Sequence, residues 1–264
     1  MRLRCLAFLL TAAASALGGA MAPISIPHQV AGADLVFVGK VTAVAADTVP
    51  AAVTKGDTRP MRLATVAVSA AYLGGVGKTV EVGFFPPPNR RPGVNLSKGQ
   101  EALFFLRKHP TRKNTYLADS PYSAVLGAAP AIKDYVSEAK ALSALLADPM
   151  KSLEGKDKAT AAGLLVTRYR TAPVGAAPKT EAVPAAESKL ILAALADADW
   201  KVEGRGVGPA NAFSWLDPQP ADGWTPPKDM ASFGDAARKW LRDNAGKYKM
   251  RRHVRAEGGP AVEP

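Results

Sequence analysis

The most informative segment of the chain begins with Ala33-Asp34-Leu35-Val36-Phe37-Val38-Gly39-Lys40-Val41. β-Branched and aromatic residues dominate it, which is typical of a β-strand. Further segments of the same kind follow, separated by turns rich in glycine, proline and asparagine. We predict strands at 35–44, 62–73, 79–85 and 101–107, and a fifth within 114–126 that is broken near Pro121.

Two longer stretches between these strands are predicted to be loops. They are residues 47–60, which contain proline, glycine, aspartate and threonine, and residues 86–97, which contain prolines and arginines. Five strands of this length are what an OB-type barrel needs. We therefore expect residues 23–127 to form an OB-like antiparallel β-barrel of five to six strands.

The remainder of the chain, residues 128–264, is expected to be helical. Apolar residues recur there at the spacing of one helix face. We predict four helices, at 131–147, 157–170, 185–198 and 229–245, with connections rich in proline, glycine and tryptophan. The expected fold class is therefore α+β, with a barrel domain followed by a helical region.

Three motifs of the barrel segment resemble one branch of the OB fold. They are the opening at 33–41, the strand end Tyr72-Leu73-Gly74-Gly75, and the segment Gly99-Gln100-Glu101-Ala102-Leu103-Phe104-Phe105-Leu106. Over about residues 28–126 the chain is similar to the netrin/TIMP-type domains, which implies a netrin-like barrel. Metalloproteinase inhibitors of that branch chelate the target's zinc through an N-terminal cysteine. The one cysteine of this chain, Cys5, lies in the N-terminal segment that is expected to be removed as a signal peptide, which would leave no cysteine. The resemblance therefore implies the fold and not that mechanism.

Residues 1–22 have the pattern of a secretory signal peptide. Arg2 and Arg4 precede an apolar run from Cys5 to Leu17, and small residues follow at 18–22. Cleavage after Ala20 would start the mature chain at Met21, without a transmembrane span. The protein is thus expected to be exported, to the periplasm, the cell surface or the medium. An uncleaved N-terminal anchor is the alternative, although the run is shorter than the roughly 20 residues of a spanning helix.

The charge of the chain points to a class of partner. The net charge is +11, and residues 23–127 alone carry 12 basic and 6 acidic side chains. Outside the cytoplasm such a surface favours an anionic envelope component over specific nucleic acid. A charge that serves only solubility is the alternative.

Recognisable catalytic chemistry is missing from the sequence. The segment Gly74-Gly75-Val76-Gly77-Lys78-Thr79 ends like a phosphate-binding loop, but Tyr72 stands where the first glycine belongs and a strand pattern follows. The histidines, at 28, 109 and 253, are isolated from one another, unlike metal ligands on one helix face. We predict no catalytic residue, no metal ligand and no cofactor.

Four residues are predicted as possible contacts with a ligand or partner. Arg90 and Arg91 follow Pro86-Pro87-Pro88-Asn89, and the prolines favour an extended backbone that would hold both guanidiniums outward. A stiff loop without such a role is the alternative. Trp215 and Trp224 lie in the long connection 200–227, where they either line a groove or pin the connection onto the helices. The basic run 247–255 is either a surface contact or a frayed tail.

These observations predict a non-catalytic binding or protein-interaction protein of the cell envelope, acting through barrel loops on an unknown protein or an anionic surface. Two other functions stay open. One is a secreted peptidase inhibitor that acts without a cysteine. The other is a hydrolase whose site the sequence does not reveal.

Overall fold

A computed structural model describes residues 25–54, 57–85, 93–128, 130–175, 179–201 and 206–255. Within these ranges the strands are β1 Leu35–Thr54, β2 Asp57–Leu73, β3 Thr79–Phe84, β4 Glu101–Lys108, β5 Thr115–Ala118, β6 Ala124–Leu126, β7 Thr180–Ala182 and β8 Arg251–His253. The helices are α1 Ile26–Gly32, α2 Lys133–Ala147, α3 Pro149–Glu154, α4 Lys158–Arg170, α5 Ala185–Asp197, α6 Pro209–Leu216 and α7 Phe233–Asn244. The predicted α+β class is confirmed, with the large sheet in the N-terminal half and most helices after it.

The first six strands form one sheet in the order β1-β2-β3-β5-β4-β6, and β1 pairs with β4 as well as with β2. Every pair is antiparallel except β3 and β5, which run parallel. The expectation of a wholly antiparallel sheet was therefore wrong at this pair. The break predicted near Pro121 is present, because β5 ends at Ala118 and β6 begins at Ala124.

The loop predicted at 47–60 is instead the distal part of a long β1–β2 hairpin. Its strands stay in register from Thr48 opposite Arg62 to Ala52 opposite Thr58, and the register shifts once before Thr54 pairs with Asp57. Pro50 and Pro60 face each other in this part, where no third strand pairs among the described residues. Proline is tolerated at such positions because its missing N–H interrupts no ladder between strands. The composition of the segment indicated a loop, and its two-stranded setting made the prolines acceptable.

Strand β1 is buried on both faces at its N-terminal end, as its partial alternation predicts. Leu35 and Phe37 point into the core of the sheet, where Phe37 stacks on Phe104 of β4 with ring centroids 4.9 Å apart. Val36 points the opposite way, into the core that the sheet shares with the helices. The helical region thus packs directly against one face of the sheet.

The four predicted helices are present as α2, α4, α5 and α7, with ends shifted by a few residues. Three short helices were not predicted. Each begins at or next to a proline, namely Pro27, Pro149 and Pro209, which is favourable at a helix start because the first N–H has no helical partner. They are too short for apolar periodicity to reveal them.

Residues 251–255 of the basic C-terminal run are held against a neighbouring strand. Residues 251–253 form β8 and pair antiparallel with β7, residues 180–182. The Val254 amide donates to the Lys179 carbonyl, continuing the pairing by one residue. A frayed tail is therefore the wrong description of residues 251–255.

Candidate functional site

Arg90 and Arg91 lie outside the described residues, but the residues that bracket their segment are placed. Phe85 and Gly93 lie side by side, since a Cβ on Gly93 would be 3.4 Å from the Phe85 carbonyl oxygen. Phe85, Val94 and Leu96 are buried. The two residues on either side of segment 86–92 therefore lie together at the end of β3.

Two arginines of the β1–β2 hairpin also lie at the end of β3. The Arg59 guanidinium is 5.1 Å from the centre of the Phe85 ring, and that of Arg62 is 5.9 Å from the centre of the Phe84 ring. Arg62 also donates two hydrogen bonds to the Ala45 carbonyl, at 3.0 and 2.8 Å. We call these residues, Arg59, Arg62, Phe84, Phe85 and Gly93, the hairpin junction.

Trp224 lies in the core of the helical region. Its ring is 8% exposed and meets Phe213 and Trp240 edge-on, with centroids 4.7 and 6.4 Å away. Edge-to-face aromatic pairs of this kind are stabilising. Trp224 thus pins the long connection onto α6 and α7, which leaves little of its ring for a ligand.

Trp215 has a different setting from Trp224. It lies on α6, is 39% exposed, and its ring centroid is 6.5 Å from that of His28 on α1. Burial lowers the pKa of His28, so the imidazole beside Trp215 is neutral at pH 7. The pair forms a small aromatic surface, far from the hairpin junction in sequence.

A charged cluster that the sequence analysis did not single out lies where the helices meet the sheet. Asp34 accepts a hydrogen bond from Arg255 Nη1 at 2.6 Å through one oxygen and from the Lys108 amide at 2.9 Å through the other. Arg255 also donates to the carbonyls of Gly32 and Arg168, at 3.3 and 3.2 Å. We call Asp34, Arg168 and Arg255 the arginine seam.

Arg168 completes the seam from the last turn of α4. Its Nη1 donates to the Ala33 carbonyl at 2.7 Å, just beyond the last residue of α1. Burial and the neighbouring Arg255 lower the pKa of Arg168 to about 10, partly offset by Asp34. The side chain therefore stays charged at pH 7 although its surroundings disfavour the charge.

His109 has a structural role in the turn that follows β4. His109 is 7% exposed, and its Nδ1 accepts hydrogen bonds from the amides of Thr111 and Arg112, at 3.2 and 3.0 Å. It therefore organises the turn between β4 and β5. Across the part of the chain that the structure describes, no three histidine, cysteine, aspartate or glutamate side chains are grouped as metal ligands would be.

The chain matches no protein-family model, and no curated protein is significantly similar to it. Among the described helices, none is both long and apolar enough to cross a lipid bilayer. The hairpin junction and the arginine seam must therefore be interpreted from their own geometry.

The seam was missed because its residues come from three distant parts of the sequence. Asp34 and Arg255 are 221 residues apart. Arg168 ends an ordinary apolar helix pattern, and Arg255 belongs to a basic run with no visible partner. The position of Asp34 directly before β1 was the only local signal, because a carboxylate at a buried strand end usually has a charged partner.

Proposed function

We propose that the chain is an exported, non-catalytic binding protein that attaches to an anionic component of the cell envelope through the hairpin junction and the adjoining segment 86–92. The target chemistry is phosphate or carboxylate, because arginine forks bind paired oxygens of these groups. Arg90 and Arg91 are the proposed direct contacts.

The pairing pattern of the strands supports an OB-type barrel as the scaffold. The pairings pass from β1 through β2, β3, β5 and β4 and return to β1, with the single parallel pair at β3–β5. An OB fold is a five-stranded Greek-key barrel that uses its loops to bind ligands. The motifs that resemble netrin/TIMP-type domains fall on β1, on the end of β2 and on β4, which agrees with this proposal.

The position of the hairpin junction carries the proposal. Phe85 and Gly93 bracket a segment that contains two arginines, and Arg59 lies directly on Phe85. The hairpin therefore places Arg59 and Arg62 at the end of the sheet where Phe85 and Gly93 bracket the segment that contains Arg90 and Arg91. Four guanidiniums drawn from two neighbouring segments favour an anionic partner.

The balance of charge supports the same interpretation. Residues 23–127 carry twice as many basic as acidic side chains, whereas residues 128–264 carry 20 basic and 17 acidic ones. The excess is concentrated in the half that contains the hairpin junction. A field of this kind attracts anionic surfaces and weakens as salt is added.

A pull-down tests the proposed contact. The variant with Arg90→Ala and Arg91→Ala is compared with the wild type on cell-wall and anionic-lipid fractions, at low and at high salt. The control variant carries Lys189→Ala and Arg242→Ala, which remove the same charge from exposed positions on α5 and α7.

We expect retention of the Arg90/Arg91 variant to fall at low salt and that of the control variant to change little. The loss should be modest, because an exposed charge pair contributes only about 0.2–1 kcal/mol. Equal retention of both variants at low salt would remove the segment 86–92 from the contact. The Trp215 surface would then be the next candidate.

A further inference from the structure

Counted over the described residues, the arginine seam carries more positive charge than its surroundings compensate. Asp34 is its one carboxylate, and both of its oxygens are occupied, by Arg255 Nη1 and by the Lys108 amide. The side chains of Arg255 and Asp34 are 18% and 13% exposed. The one carboxylate of the seam is thus paired with Arg255 alone, which leaves the second guanidinium, in the same partly buried place, as one positive charge in excess.

The excess charge belongs to Arg168. Within the described ranges no carboxylate lies within 4.0 Å of its guanidinium, and its one hydrogen bond goes to the Ala33 carbonyl. A guanidinium has five N–H donors in a fixed fork, so this bond uses a small part of its capacity. Donors that are removed from water usually have partners.

Capping α1 does not explain the arrangement fully. At the end of α1, the Gly32 carbonyl accepts a hydrogen bond from Arg255 and the Ala33 carbonyl accepts one from Arg168. Each carbonyl therefore already has one arginine donor. The remaining edge of Arg168 has no protein acceptor in the described part of the chain. Arg168 is only partly buried, and its nitrogens are not among the fully buried side-chain atoms without a partner, so the unpaired ones keep some contact with solvent.

We propose that the unused edge of Arg168, beside Arg255, binds a small oxyanion with two adjacent oxygens, a carboxylate or a phosphate. Such a group accepts two parallel hydrogen bonds from one guanidinium. It also neutralises the excess charge of the seam. The site differs from the hairpin junction, since its two arginines come from α4 and from the segment that follows β8.

The test uses the full mature chain and two simple probes, inorganic phosphate and acetate, each compared with chloride at equal ionic strength. The melting temperature of the wild type should rise with at least one probe, because a ligand that binds only the folded state stabilises it. Arg168→Met, which keeps the length of the side chain, should weaken binding at least about tenfold, because hydrogen bonds to charged groups are strong. The affinity of Arg168→Lys for the probe should lie between those of the wild type and of Arg168→Met. Lysine keeps the positive charge but lacks the paired N–H donors of the guanidinium.

Arg242→Met is the matched control. Arg242 is exposed on α7, so its removal changes the net charge equally and should leave the response to the probes unchanged. If Arg168→Met does not fold, the Nε–H resonance of Arg168 in the wild type, followed by NMR during the same titrations, supplies the result. A saturable shift specific to Arg168 supports the proposal.

Either of two outcomes overturns the proposal. One is an equal response of chloride and both probes, with no saturable shift of the Arg168 resonance. The other is a probe response that Arg168→Met and the wild type share. A response to phosphate alone or to acetate alone would identify which oxyanion the seam accepts.

Discussion

Gly163 offers a direct test of how tightly α4 packs against the connection that precedes α6. A Cβ on this residue would overlap the Val207 carbonyl oxygen and would lie 3.0 Å from the Val207 carbonyl carbon. Helix propensity alone favours Gly163→Ala by about 1 kcal/mol. Overpacking typically costs about 1–3 kcal/mol, and the obstacle here is backbone, which cannot rotate away. The steric cost should therefore lie at the upper end of that range, about 3 kcal/mol, and after subtraction of the propensity gain we expect a net decrease of about 2 kcal/mol in the free energy of unfolding.

Urea unfolding followed by tryptophan fluorescence measures this change. The control is Gly234→Ala on α7, where the nearest atom to the added Cβ would be Trp200 Cε3 at 3.6 Å, an ordinary contact. That variant should be as stable as the wild type or slightly more stable. If Gly163→Ala is as stable as the wild type, the close approach of α4 to Val207 is refuted.

Three further outcomes are expected. Asp34→Asn removes the charged partner of Arg255 and should lower the free energy of unfolding by about 1.5–3 kcal/mol in a urea titration; an unchanged midpoint would show that the seam does not stabilise the fold. Burial lowers the pKa of three histidines, His28, His109 and His253. Folding stability should therefore fall as the pH decreases through about 6.5, because the unfolded chain then binds more protons than the folded protein. A melting temperature that rises on acidification would contradict this expectation. Mass spectrometry of the exported protein should find a mature chain that starts near Met21 without lipid, and an intact Met1 would contradict export by cleavage.

Much of the fold could be predicted because the signals are local. Alternation of apolar and polar residues marked the strands, and the stripe of Ala139, Leu142 and Leu146 marked α2. The hairpin at 47–60 was misjudged because its prolines are typical of loops. Their tolerance depends on the absence of a third strand, which is a property of the tertiary structure. The parallel β3–β5 pair is likewise set by topology and not by composition.

The candidate sites were less predictable for the same reason. The sequence indicated Arg90 and Arg91 through the prolines before them, but it gave no sign that Arg59 lies on Phe85. Arg168 and Asp34 are 134 positions apart and come together only when α4 packs against α1, which ends two residues before Asp34. Composition likewise could not separate the buried Trp224 from the half-exposed Trp215.

The measurement that tests the central proposal most directly is the binding of the wild-type mature chain to isolated cell envelopes across a range of salt concentrations. If the protein attaches through cationic side chains, the retained fraction should be high at low salt and should fall steadily as the Debye length shortens from about 30 Å at 0.01 M to about 8 Å at 0.15 M. The double change of Arg90 and Arg91 should flatten this dependence. Retention that is absent at low salt, or that does not change with salt, would contradict attachment to an anionic envelope component.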